Sequence, residues 1–220
     1  MGYQLNFDAV WRSFDDLLWG LALSLQMAVL AIAIGCLIGL VVAFALVSKL
    51  RVVRWPARVY VTILRNTPIL ILILFAYFAL PQVGVTLGKV ESFIATLAIY
   101  SGAYLAEVFR SGLVAIPVGQ EEAGLAIGLR RSQIRVYVIL PLMFRNALPA
   151  LGNTVISLFK DTSLAAVISV PELTYEARKI NVETFRVVET WIVAAGIYVL
   201  TCTLMGAILR FVERRMAIPR

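Results

Sequence analysis

Histidine is absent from this chain, and only two of its 220 residues are cysteine. The first absence removes histidine-based zinc and haem sites and any Ser–His or Cys–His nucleophile pair. Cys36 and Cys202 both lie inside apolar stretches, where a thiol behaves as a small buried hydrophobe and implies neither a disulfide nor a metal framework. No G-x-x-x-x-G-K-S/T run occurs, so the chain carries no Walker-type phosphate cradle. Charge is scarce as well: 15% of residues are charged and 61% hydrophobic, against about a quarter and about a half in soluble domains. With no histidine and no serine–base or paired-aspartate constellation, an intramembrane hydrolase is disfavoured.

What remains is a set of long apolar runs. The uncharged stretch 17–48 alone exceeds the roughly 20 residues a helix needs to cross hydrocarbon. Strand alternation is absent. The pattern predicts an all-α integral membrane protein, one domain over 1–220, with five crossings near 17–47, 67–85, 92–113, 138–159 and 190–209. Arg145 interrupts the fourth, and Pro81-Gln82-Val83-Gly84 reads as a turn between the second and third. Residues 1–16 are polar and acidic, and the first apolar run is too long for the core of a cleaved signal peptide, so none is expected.

Basic residues sort by side. Lys49, Arg51, Arg54, Arg58 and Arg65 follow the first crossing; Arg110, Arg130, Arg131, Arg135 and Arg145 follow the third or open the fourth; Arg210, Arg214, Arg215 and Arg220 follow the fifth. That places 14 of the 20 on one side. Positive charge is retained in the cytoplasm, so the N-terminus is expected outside and the C-terminus inside. The net charge of +7 then reflects topology, and nucleic acid is not an expected partner.

One polar stretch interrupts this greasy chain, "GQEEAGLAIGLRRSQIRVYVILP" (119–141), placed by the topology on the cytoplasmic side between the third and fourth crossings. Residues 120–127 favour helix, Gly128 is a break or C-cap, and Ser132 is a candidate N-cap for a second helix. Ala123, Ala126 and Ile127 share a stripe beside Gly124 and Gly128, framed by Glu122 and Arg130. Residue chemistry alone allows two readings: a compact docking knob for a soluble partner, or an amphipathic helix lying on headgroups.

"EAGLAIG" followed by "VILP" resembles the EAA motif of bacterial ABC importer permeases (Glu-Ala-Ala, three residues, Gly, nine residues, Ile-x-Leu-Pro). Glu122, Ala123, Gly128, Leu140 and Pro141 match, while Gly124 replaces the second Ala and Val138 the Ile. "RNTPILILIL" from Arg65 is similar to the segment opening the second span of polar-amino-acid permeases, with Asn66 where Gly is usual. "AYLAEVFRSGL", "AIPVGQEEAG" and "LFKDTSLAAVI" resemble the same subfamily, in the same order along most of the chain. The resemblance is to permeases of the histidine/glutamine/glutamate/arginine type. It implies a multi-pass subunit of the bacterial cytoplasmic (inner) membrane that translocates a polar amino acid and performs no covalent chemistry. It implies that segment 119–135 is a coupling helix seated in a separate ABC ATPase, with Glu122, Ala123, Gly124, Ala126, Gly128 and Arg130 in the contact. It further implies a second permease chain, as homodimer or heterodimer, and a periplasmic or tethered solute-binding protein. This chain would bind no cofactor, ATP and magnesium residing on the ATPase subunits.

Other polar positions carry two readings each. Lys160, Asp161, Thr162 and Ser163 close the fourth crossing. They form either an internal ion pair and helix cap, or the lining of a substrate pathway, where the aspartate suits an ammonium and the hydroxyls a carboxylate. Asn66 is a second pathway candidate beside Arg65, itself a candidate interfacial anchor. Glu107 and Arg110 read as a structural i,i+3 pair, Ser24 and Gln26 as interhelical glue, and Gly20, Gly35 and Gly39 as close-packing positions. The outer stretch 171–188, with Ser169 as candidate cap, reads as solvated surface or, by the resemblance, as part of a binding-protein dock. The rival class is an autonomous ion-coupled secondary transporter or channel, which would show internal repeats; none is evident.

Overall fold

The computed structural model describes residues 3–216, and among these no strand occurs. Arg220, placed with the cytoplasmic cations above, lies outside the described residues. A short helix, α1 (Asp8–Arg12), leads into α2 (Phe14–Leu46), whose first turn carries Asp15 and Asp16 at the positive end of the helix dipole. Then follow α3 (Arg51–Asn66), α4 (Ile69–Leu74) with a π turn (Phe75–Ala79) and a 3-10 turn (Leu80–Val83), and α5 (Lys89–Val114). The compact pair α6 (Val118–Ala126) and α7 (Arg131–Ile134) comes next; α7 runs through a π turn (Arg135–Ile139) into α8 (Leu140–Asp161) and a 3-10 turn (Thr162–Ile168). The chain closes with α9 (Leu173–Thr184) and α10 (Val187–Met216).

Four helical runs are long and apolar enough to cross a membrane, or five if the bent pair α3 and 69–83 counts as one crossing. Helix α2 is apolar all round, and small residues (Gly20, Ser24, Ala31, Gly35, Gly39, Ala43) make up much of its buried stripe, with Leu17, Met27 and Leu46 as its large members. That stripe lets α5 approach closely: a Cβ on Gly39 would stand 2.9 Å from the Leu105 Cβ. Gly35 meets Ser101 and Gly39 meets Leu105, so α2 and α5 run parallel. Gly112 faces Met143 and Ala147, and Leu158 joins Phe93 and Leu97 in one core, so α8 runs antiparallel to α5. Gly152 faces Leu209 and Phe159 faces Tyr198, so α10 reverses again.

Three local expectations are corrected. Residues 51–66, left unassigned between the first two crossings, form α3. Its cations Arg51, Arg54, Arg58 and Arg65 share one side, its buried Ala57 and Val61 another, and exposed Val52, Trp55 and Ile63 a third. Thr67 is extended before Pro68, as pre-proline geometry requires, and the axis turns there by 102°. At the head of α7 the N-cap is Arg130, whose N–H donates to the Gln133 side chain at 2.8 Å, whereas Ser132 lies in the first turn. Ser169 ends the 3-10 turn in the left-handed region at φ 58°, and Glu172 caps α9 instead, accepting from the Tyr175 N–H at 2.8 Å.

Glu172, in the connection between the fourth and fifth crossings, is fully buried. Its carboxyl also accepts from the Ser24 hydroxyl at 3.3 Å and the Tyr198 hydroxyl at 3.1 Å, tying α2, α9 and α10 together. Ser24 thus acts as interhelical glue, while Gln26 is exposed and makes no side-chain hydrogen bond among the described residues. Burial without a cation raises the Glu172 carboxyl from 4.5 to about 7. The folded state therefore holds this proton where the unfolded chain has lost it. Stability is greatest below the unfolded value and falls as pH rises through the window between 4.5 and about 7, by on the order of 3 kcal/mol. Thermal unfolding of the purified protein is expected to show this fall, and Glu172→Gln to flatten it; an unchanged slope in the variant would assign the pH dependence to another group.

Candidate transmission helix and polar track

Helix α6 is nearly all surface. Of its nine residues only Gly124 is buried, while Glu122, Ala123 and Ala126 are exposed. Gly124 rests on Ile134, where α7 opens the run into α8, and a Cβ there would stand 2.8 Å from the Ile134 Cγ1. Glycine here lets α6 sit close on α7, and a larger residue would require the Ile134 side chain to shift. Gly128 has a different reason. Its φ is +81° with nothing within 4 Å of an added Cβ, so conformation and not space selects glycine. The Leu129 N–H returns to the Gly124 carbonyl at 3.1 Å and the Gly128 N–H to the Leu125 carbonyl at 3.0 Å, closing the helix as a Schellman motif with Gly128 in the left-handed position. Arg130 is exposed just beyond. The outcome is a rigid stub whose free face shows Glu122 and Ala123 beside exposed Leu125 and Ile127, joined through its one buried contact to the helix run that becomes α8.

Polar side chains of the crossings collect on two facing stripes, half-buried on α5 and largely exposed on α8. On α5, Tyr100, Tyr104 and Glu107 recur at helical spacing; on α8, Asn153, Ser157 and Asp161 do the same. Tyr100, Tyr104, Asn153, Thr154, Ser157 and Asp161 line a cleft of about 270 Å³. Tyr104 also lines a second cleft of about 570 Å³, with Asn66, Arg65, Arg58, Glu107 and Arg110. The Tyr100 hydroxyl donates to that of Tyr104 at 3.0 Å, and the Arg65 guanidinium lies over the Tyr104 ring, 5.3 Å from its centre. The two clefts share Tyr104 as a wall, and their linings together form a polar track along the helices.

The pathway candidates separate. Asp161 and Asn66 lie on the track, the Asn66 amide donating back to the Thr62 carbonyl at 2.7 Å. Thr162 is fully buried and its hydroxyl donates to the Phe159 carbonyl at 2.6 Å, so it faces neither cleft. The Ser163 hydroxyl donates to the Lys160 carbonyl at 2.8 Å, and Lys160 is exposed beside it; neither lines the clefts. No Lys160–Asp161 ion pair forms among the described residues. Glu107 and Arg110 pair at 2.6 Å, as their spacing predicts, but at the wall of the larger cleft. Sequence reading missed Tyr100, Tyr104, Asn153, Thr154 and Ser157. Their signal was available as polar residues repeating every fourth position in apolar helices.

A helical membrane protein with an exposed stub between two crossings and a polar track along them is built as a transport component. The family model described as binding-protein-dependent transport system inner membrane component matches residues 12–218, and the chain belongs to that family. The glutamine transport system permease protein GlnP of Escherichia coli (strain K12) is 40% identical over 217 residues, covering 98% of this chain and 99% of the relative. The L-cystine transport system permease protein TcyB of Bacillus subtilis (strain 168) is 35% identical over 218 residues, covering 98% and 93%. Among solved structures, a crystal structure of an amino acid ABC transporter with histidines superposes with a TM-score of 0.89 at 33% identity, covering 97% of this chain and all of that one. An inward-facing structure of the MetNI methionine ABC transporter shares the fold, with a TM-score of 0.82 at 20% identity.

Proposed function

We propose that this chain is the membrane-spanning subunit of an ABC importer that moves a polar amino acid inward across the bacterial cytoplasmic membrane. The observation that carries this reading is α6, a rigid exposed helix whose one buried residue, Gly124, bears on the head of the run into α8. Force applied to its free face passes through Ile134 into the helix that carries Asn153, Ser157 and Asp161. A separate ATPase subunit, holding ATP and magnesium, docks on Glu122, Ala123, Ala126 and the αL turn at Gly128, with Arg130 at the rim. A solute-binding protein delivers substrate to the outer surface that includes α9, and a second permease chain completes the pathway.

On the track, the Asp161 carboxylate meets the substrate ammonium. Asn66, Ser157 and the tyrosine hydroxyls supply neutral hydrogen-bond partners, and Arg65 over Tyr104 marks the step toward the larger cleft. Movement follows from the ATPase binding one arrangement of the spans better when loaded with ATP than when empty. Uptake of a labelled polar amino acid into vesicles tests the reading. It should require the ATPase subunits, the binding protein and internal ATP together; uptake by the permease alone would favour an autonomous carrier.

A further inference from the structure

The geometry points to a binding site for the headgroup of an anionic phospholipid at the cytoplasmic foot of the bundle, between the α2–α3 connection and the head of α6. A cleft of about 690 Å³ opens there. Lys49, Arg131 and Arg135 converge on it, and Glu121 is the one acid in its lining. None of the three cations makes an ion pair or a side-chain hydrogen bond among the described residues. Arg131 and Arg135 lie one turn apart on the run that leads into α8, and the fold brings Lys49 to them from the α2–α3 connection.

The rest of the lining is mostly apolar. Leu50 is 67% exposed and Val114 66% exposed at the ends of the first and third crossings. A phosphate with acyl chains attached satisfies both halves, its charge against the cations and its chains over Leu50 and Val114. A soluble anion would leave the apolar wall wet. Basic pockets between spans on the cytoplasmic side hold anionic headgroups, each Lys or Arg contributing about 1 kcal/mol. Because Pro117, Val118 and Glu121 at the head of α6 form one wall, an occupant restrains the segment that the preceding section assigns to coupling. The inference that the lipid tunes coupling rests on that assignment; lipid binding itself does not.

Native mass spectrometry of the whole complex, carried in nanodiscs of phosphatidylcholine with added phosphatidylglycerol, tests the site directly. The native complex is expected to retain phosphatidylglycerol in preference to phosphatidylcholine. Lys49→Gln, Arg131→Gln and Arg135→Gln should each weaken that retention about fivefold, and the triple variant should abolish it. Arg214→Gln with Arg215→Gln, at the end of α10 and outside the cleft, should change nothing. Phosphatidylglycerol should also raise substrate-stimulated ATP hydrolysis of the native complex and not that of the triple variant. Equal retention by native and triple variant would overturn the site. Displacement of the lipid by inorganic phosphate would reassign it to a free anion, and loss of the ATPase subunits from the triple variant would reassign the cations to the protein partner. Retention without any effect on hydrolysis would uphold the lipid site and refute its link to coupling.

Discussion

Gly128→Val is expected to cut substrate-stimulated ATP hydrolysis by the reconstituted complex about 5- to 30-fold. A Cβ at this position meets no neighbour within 4 Å; the loss comes from the backbone. At φ +81° an L residue pays about 1–2 kcal/mol, and a β-branched one stands at the upper end. The αL turn that ends α6 then opens, and the rim at Arg130 loses its position relative to Glu122. Gly128→Asn is expected to retain most of the activity, because asparagine tolerates this region. Gly124→Ala tests the opposite cause. Its defect is steric, against the Ile134 Cγ1 at 2.8 Å, so removing that atom with Ile134→Ala should restore activity in that background and do nothing for Gly128→Val. Hydrolysis assays on the five variants check the set, and rescue of Gly128→Val by the trimmed partner would refute the distinction.

Asp161→Asn is expected to lower transport kcat/KM about 10- to 150-fold, the range set by losing one charge-assisted hydrogen bond of about 1.5–3 kcal/mol. The substitution preserves shape, and Asp161 forms no ion pair among the described residues whose loss would unfold the protein. Vesicle uptake kinetics check this, with Asp161→Glu expected to recover part of the rate. Thr162→Val, by contrast, acts on a buried hydroxyl that only closes its own helix turn, and its effect should fall on stability and not on KM. If both variants transported like the native chain, the track would not be the route.

The crossings, the turn at Gly84 and the glycine contacts between α2 and α5 were legible in sequence because lipid imposes strong length and composition rules. The α6 stub was legible for a related reason: a charged, glycine-punctuated segment stands out in such a chain. Helix α3 was not, since its mix of cations and aliphatics sums to a bland loop unless the three stripes are separated by period. The polar track was half legible. Asp161 and Asn66 announce themselves by chemistry, but which of Lys160, Asp161, Thr162 and Ser163 faces the cleft depends on helix rotation. Here only Asp161 falls on the stripe with Asn153 and Ser157. Glu172 was hidden differently, because a glutamate in a polar stretch is ordinarily solvated. Only the approach of Ser24 and Tyr198 buries it.

The most direct test of the account is ATP hydrolysis by the reconstituted complex with its ATPase and binding protein, native against Glu122→Lys. Glu122 is exposed on α6 and packs against nothing in this chain's core, so the variant should fold and insert normally. The account predicts that loaded binding protein stimulates hydrolysis in the native complex, and that the reversed charge abolishes the stimulation. Full stimulation of an assembled Glu122→Lys complex would contradict the assignment of α6 as the transmission helix.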